Sequence, residues 1–209
     1  MCPAPADVPS PIDFHDLAQA RAWEADTVRR KPWRQRFFEK IAEAIHRDGA
    51  PPSVLELGSG PGHLAERVLR TCSVVRYVAL DFSGAMHALA RDRLAGLATR
   101  VEFVQGDFRT ADWTAPLGSF DVAVSMQSAH EVRHKARIPA LFASVRRVVR
   151  AGGLFLYCDS YVVADGSRNP DLHLTPDEQP RLLHEAGFAA VTLLHDEGGM
   201  ALYRATNLG

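Results

Sequence analysis

Residues 54–63 read VLELGSGPGH: an apolar run carrying one carboxylate, Glu56, and then glycines at positions 58, 60 and 62. A strand that opens into such a turn either reverses the chain or brings bare backbone up to a ligand, because glycine enters left-handed conformations freely. Four further short apolar runs follow: YVALD (77–81), VEFVQGD (101–107), FDVAVSM (120–126) and GLFLYCD (153–159). Helical periodicity fills the gaps between them, through about Arg70, from Ser83 to Leu94, and from Ile138 with Pro139 in the first turn. Gly152-Gly153 is expected to end that last helix, and a further helix is expected at about 176–186. Nearly continuous apolar strands alternating with helices predict a parallel sheet covered on both faces. AAVTLLHD and MALYRATN, separated by EGG, predict a closing hairpin. The fold expected is α/β: a Rossmann-like, seven-stranded, mostly parallel sheet with an antiparallel C-terminal hairpin strand and helices on both faces.

Upstream the pattern differs. Four prolines in the first eleven residues predict a disordered or extended arm over 1–12. Residues 13–30 carry Phe14, Leu17, Ala18, Arg21 and Ala25 at helical spacing, with Asp13 as a candidate N-cap. Pro32 interrupts, and Phe37, Phe38, Ile41, Ala44 and Ile45 give a second helix, from Trp33 to about Arg47, an apolar face. The expected organisation is an arm (1–12), an N-terminal helical cap (13–52) and a ligand-binding domain (53–209).

A formal net charge of −1 gives no global reason to bind nucleic acid or an anionic membrane. Three widely spaced cysteines match neither a zinc spacing nor a disulfide framework, which favours a reducing compartment. MCPAPADVPSP lacks a basic stretch followed by an apolar run, and no segment is apolar for a membrane's thickness, so a cytoplasmic location is expected.

In an open α/β sheet, ligands sit beyond the carboxyl ends of the strands where strand order reverses. The dinucleotide fingerprint is G-x-G-x-x-G, but here His63 holds the third glycine's place. Glu56 is also awkward beside a pyrophosphate and suited to an ammonium or sulfonium. Asp81, about twenty residues on, can accept hydrogen bonds from ribose hydroxyls. Asp107 can accept from an adenine amino group, with Phe82 or Phe108 against the ring. Each aspartate can equally be a helix cap or a solvated strand end.

VLELGSGPGH, ALDFSGAM with its Asp-x-Ser-x-x-Met pattern, VEFVQGDF, FDVAVSMQSAHEV and RRVVRAGGLFLYCD occur in that order over residues 53–159. In this the chain resembles the class I S-adenosylmethionine-dependent methyltransferases, particularly the small-molecule branch of ubiquinone/menaquinone-biosynthesis type. The resemblance implies S-adenosyl-L-methionine as cofactor. Glu56, Gly58, Gly60 and Gly62 would surround its methionine and ribose portion, and Asp81 would hold the ribose. Asp107 and Phe108 would hold the adenine, with Phe82 and Met86 completing the set.

The sulfonium is already a good leaving group, so the protein mainly has to bring a nucleophile into line. His130 in SMQSAHEV is a candidate base, with Glu131 to orient it; the alternative is a histidine that only packs locally. The Asn/Asp-Pro-Pro-aromatic motif of amino-methylating relatives is absent, and Gln127 and Ser128 replace poorly the aspartate that holds magnesium in catechol-type enzymes. No metal is expected. Tyr161, Arg168 and His173 either line the substrate side or are solvated. The basic run RRKPWRQR (29–36) is a solvated helix face, a lid over an acidic substrate, or an RNA footprint. The leading expectation is methyl transfer to a small-molecule O, N or C nucleophile, by a monomer or homodimer without nucleic-acid or membrane partners. The alternatives are methylation of a protein or RNA, and cofactor binding without catalysis.

Overall fold

A computed structural model describes residues 5–46 and 50–209. Seven strands form one sheet: β1 (Ser53–Leu57), β2 (Arg76–Asp81), β3 (Glu102–Gln105), β4 (Phe120–Met126), β5 (Val149–Ser160), β6 (Ala189–Glu197) and β7 (Met200–Thr206). Their order is β3-β2-β1-β4-β5-β7-β6. The first five run parallel, whereas β7 is antiparallel to both its neighbours. Strand order therefore reverses between β1 and β4. β7 takes the inner place of the hairpin because Met200–Tyr203 are all buried, while β6 alternates with exposed positions and can serve as an edge.

Because side chains alternate across a strand, each strand feeds two cores. Leu55, Leu57, Val78, Leu80, Ala123, Phe155 and Tyr157 pack with Phe142 of α5 (Ile138–Val148) and Leu183 of α6 (Glu178–Glu185). Val54, Tyr77, Ala79, Val122, Val124, Leu154 and Leu156 face the other way. They meet Phe37 and Ile41 of α2 (Arg34–Ile45) and Leu64 and Val68 of α3 (His63–Thr71). A third, small cluster joins Ala20 of α1 (Leu17–Arg30) to Met86 and Leu89 of α4 (Gly84–Leu94). That contact sets α1 beside the carboxyl ends of the strands.

Several boundaries differ from expectation. Asp16, not Asp13, caps α1, accepting from the Gln19 amide; the Asp13 carboxylate instead closes a short turn on the His15 amide. Gly152-Gly153 does not end α5. The helix stops at Val148 and β5 begins at once, since Val149 pairs with Phe120 before the register shifts at a bulge. Gly152, at φ 77°, sits in that bulge. β3 is only four residues long, and the Gly106 amide closes its ladder with β2 on the Asp81 carbonyl. The first four residues of the expected arm and the expected end of the second helix near Arg47 lie outside the described residues.

Residues 5–12 carry neither helix nor strand. Arg133 donates to the Val8 and Pro9 carbonyls at 2.9 and 2.8 Å, and the Val8 amide returns a bond to the Arg133 carbonyl. Arg137 donates to the Pro5 carbonyl at 2.8 Å. The arm is thereby tied across the carboxyl end of the sheet.

Candidate functional site

The three glycines of the turn after β1 do different work. Gly58, at φ 62°, lies so close to the Ser128 side chain that a Cβ would collide with it. Gly62, at φ 81°, lets α3 approach α4, where a Cβ would stand 3.1 Å from that of Ala90. Gly60, at φ 54°, faces open space. The turn thus leaves one stretch of bare backbone beside the switch point.

Two carboxylates flank it. Asp81, at the end of β2, accepts the Gly60 amide at 2.8 Å on one oxygen and the Ser83 amide at 2.9 Å on the other. Burial pushes its pKa up to about 6, with those two amides opposing. Glu56 is fully buried and accepts the Tyr77 hydroxyl at 2.7 Å. Burial lifts it to about 8, so without a cation beside it the group is neutral at pH 7.

A cleft of about 150 Å³ opens from the turn. Gly58, Gly60, Asp81, Phe82, Met86 and Phe108 line it together with Gln127, Ser128, His130 and Glu131 of the segment after β4. Phe14, Trp23, Thr27 and Lys31 of the N-terminal segment also line it. A second recess of about 250 Å³ shares Phe82 and Phe108 with it and runs to Asp107, Arg109 and the arm. Asp107 does not stand free there. Burial raises its pKa, but Arg109, donating to Oδ1 at 3.0 Å and to Oδ2 at 2.7 Å, outweighs this and holds it below the usual range. His63, in the third fingerprint glycine's place, brings Nε2 to 2.9 Å from Glu24 of α1 and so links the turn to the cap.

Arg34 sits near the turn, in a recess shared with Glu56, Gly58 and Gly60. Its Nε is buried with no partner among the described residues. Sequence reasoning placed Arg34 only within a basic run, because nothing in the run says which side chains turn inward.

His130 follows β4 in a short 3₁₀ turn (Ala129–Val132). Its Nδ1 lies 2.7 Å from Asp159 Oδ1, its amide donates to Asp159 Oδ2 at 3.0 Å, and its Nε2 lies 3.3 Å from Glu131. Burial would lower the imidazole's pKa, but the two carboxylates outweigh it and raise it to about 10. Both ring nitrogens therefore carry protons at neutral pH. Glu131 is neutralised in turn by Arg133 at 2.8 Å. Asp159, the ring's closest partner, was missed by sequence reasoning. A carboxylate ending the strand GLFLYCD was the available signal, since the pairing of Met126 with Cys158 brings the ends of β4 and β5 together.

His173, from the loop after β5, has its ring 5.0 Å from that of His130. Burial and the His130 charge lower its pKa to about 4, so it is neutral. One ligand atom from each of His130, Asp159 and His173 lies within 4.8 Å of the others, but the 2.7 Å contact makes His130 and Asp159 a hydrogen-bonded pair as they stand. Tyr161 turns away to donate to Asp196.

A family model described as a methyltransferase domain matches residues 54–153. The fatty-acid O-methyltransferase of Mycolicibacterium smegmatis is 37% identical over 109 residues, covering 51% of this chain and 36% of that protein. The trans-aconitate 2-methyltransferase of Acidovorax ebreus is 33% identical over 141 residues, covering 68% and 48%. The chain thus spans less than half the length of these two relatives. A solved structure described as a DhpI–SAH complex superposes with a TM-score of 0.70 at 26% identity, covering 91% of this chain and 92% of that one. PigF with SAH, at 16% identity and a TM-score of 0.72, shares the fold. Among the described residues no helix is long and apolar enough to cross a membrane. Strand order, glycine turn and relatives agree: the chain belongs to the class I S-adenosylmethionine-dependent methyltransferases.

Proposed function

We propose that the protein transfers the methyl group of S-adenosylmethionine to an oxygen of a small molecule by in-line displacement. The observation that carries this reading is the single cleft lined by the glycine turn, Asp81 and His130 together. Relatives described as fatty-acid, trans-aconitate and malonyl-acyl-carrier-protein methyltransferases support a small acceptor.

The residues present suit the cofactor. The open backbone at Gly60 admits a ligand, and Glu56, ionised beside an ammonium, complements the methionine amino group. The unpartnered Arg34 guanidinium complements its carboxylate. Asp81 keeps lone pairs for ribose hydroxyls, and Phe82 and Phe108 offer apolar faces to the adenine, near Asp107. Met86 packs under the same wall. The bound cofactor supplies an electrophilic methyl on a positively charged sulfur.

Phe14, Trp23 and Thr27 keep water from the cleft. His130, protonated because Asp159 and Glu131 hold it so, acts as a hydrogen-bond donor that positions the acceptor's oxygen, and Glu131 tunes that donor. At neutral pH the ring has no lone pair with which to serve as a base. Cys72 and Cys158, buried and unpaired, suit a reducing compartment and support a cytoplasmic location for a monomer or homodimer.

Calorimetric titration with S-adenosylmethionine, S-adenosylhomocysteine and NAD, alongside Asp81→Ala, tests the reading. Binding of both sulfur nucleosides, lost in the variant, is expected. Binding of NAD alone would sink it.

A further inference from the structure

The basic run at 29–36 divides in the structure. Arg29 and Arg30 have side chains 79% and 67% exposed and pair with Asp26, while Arg36 pairs with Glu197. Lys31 and Arg34 turn inward. Arg34 belongs to the cofactor's recess, but Lys31 lines the cleft itself, with Gln127, Ser128 and His130. Among the described residues Lys31 has no ion-pair partner. Burial lowers its pKa, as do the nearby charges of Arg34 and Arg168, so positive groups crowd this end of the cleft.

Arg168 comes from the loop after β5, 137 residues further along the chain. Its Nη2 donates to the Gly198 carbonyl at 3.2 Å in the β6–β7 turn, and its Nε is buried without a partner among the described residues. Gly198 packs on Trp33, two residues beyond Lys31. Arg168 is also close enough to His173 for its charge to lower that histidine's pKa. The carboxylates in this neighbourhood are already engaged: Asp159 by His130, and Glu131 by His130 and Arg133. Lys31 is therefore left as a desolvated cation on the cleft, with the charge of the half-buried Arg168 near it. Leaving a buried charge uncompensated is costly, which is the condition a charged ligand relieves.

We propose that the methyl acceptor is a small acid, carboxylic or phosphonic, that enters as its oxyanion and is gripped by Lys31, with the Arg168 charge adding to the attraction. The proposal rests on the methyltransferase reading and deepens it. An oxyanion lone pair forms the new O–C bond as the C–S bond breaks, the bonding pair stays on sulfur, and the products are a methyl ester and S-adenosylhomocysteine. No proton has to leave the acceptor, so the step needs no base. A protonated His130 then fits as a third donor to the acid rather than as a disabled base.

The test loads the full chain with S-adenosylhomocysteine and titrates it with benzoate, hexanoate and methylphosphonate against benzamide, hexanol and phenol. Release of S-adenosylhomocysteine from S-adenosylmethionine is then followed with the same panel. Acids are expected to bind and turn over while their neutral counterparts do not, and the arm that binds identifies carboxylate or phosphonate. Lys31→Met should weaken acid binding roughly tenfold or more, as expected for a lost charge-assisted hydrogen bond, and Arg168→Met, which removes a nearby charge, by less. Binding of S-adenosylhomocysteine should stay within about twofold, which also shows that the variants fold. Turnover of phenol or hexanol without acid binding would overturn the acid proposal and leave the methyltransferase intact. Acid binding indifferent to both substitutions would overturn it as well. Failure to bind either sulfur nucleoside would remove the underlying reading, and the proposal with it.

Discussion

The two walls of the cleft are built in opposite ways. The donor wall comes from one stretch of chain: Glu56 and the glycines after β1, Asp81 and Phe82 after β2, and Asp107 and Phe108 after β3. Parallel pairing alone aligns these strand ends, since Leu57 lies opposite Leu80 and Asp81 opposite Gln105. The proposed acceptor side takes Lys31 and His130 from separate elements, with Asp159 and His173 packed against His130. A wall built from strand ends can hold a constant ligand in a constant place. A wall built from loops and a cap can change its ligand without disturbing the sheet.

The largest effect expected is at the joint between β4 and β5. Asp159→Ala leaves the His130 charge buried and short of its closest partner, and should cost about 3–5 kcal/mol in urea denaturation. Cofactor affinity should change little, because Asp159 touches none of the donor wall. The linkage has a definite sign. His130's folded pKa, about 10, lies above its ordinary value, so the stabilisation is complete below about pH 6.5 and disappears as pH rises through 10. By NMR the His130 ring should not titrate between pH 5 and 8 in the native protein. A midpoint near 6.5 there would contradict the charged dyad.

Next comes Gly58→Ala, which puts a Cβ at a left-handed φ against Ser128. A loss of about 2–4 kcal/mol in thermal or urea unfolding is expected, with impaired cofactor binding. Here, unlike Asp159→Ala, both readouts should fall together. If affinity survives, the turn is not the cradle.

A smaller effect concerns protons. Glu56 is neutral below about pH 8 in the free protein, and a bound ammonium requires its anion. Cofactor affinity should therefore climb by up to about tenfold per pH unit as pH approaches 8, then level off. Glu56→Gln should remove that slope. Calorimetry in buffers of different ionisation enthalpy would show the proton release directly, and its absence would detach Glu56 from the ligand.

The smallest effect separates the two faces of the basic run. Arg29→Ala and Arg30→Ala should change stability by no more than about 0.5 kcal/mol and leave cofactor and acceptor binding as they were. A clear loss of acceptor binding in either would mean that the outer face, rather than Lys31, meets the substrate.

Legibility in the sequence follows the same division. The strands, the reversal of order and the gathering of the proposed donor residues at adjacent strand ends could be read because period, glycine spacing and strand-end position are local signals. Local signals also misled. Asp13 and Asp16 both suit a cap by residue type, and it is Asp16 whose carboxylate meets the Gln19 amide. Gly152-Gly153 looks like a helix stop but serves a bulge in β5. Asp107 could be placed at the end of β3, yet its grip by Arg109 could not, since two adjacent charges need not pair. Asp159 stayed hidden because a carboxylate closing an apolar strand reads the same whether it meets solvent or an imidazole.

By itself the sequence determined an α/β sheet with a ligand-binding turn at its switch point, because hydrophobic period and glycine spacing act over a few residues at a time. Only the tertiary structure decided that Asp159 keeps His130 charged, that Arg34 and Lys31 turn inward while Arg29 and Arg30 stay in solvent, and that the proline-rich arm is tied down by Arg133. Each of those depends on desolvation and on the distance between charges far apart in the chain. These are quantities that exist only once the chain has closed around them.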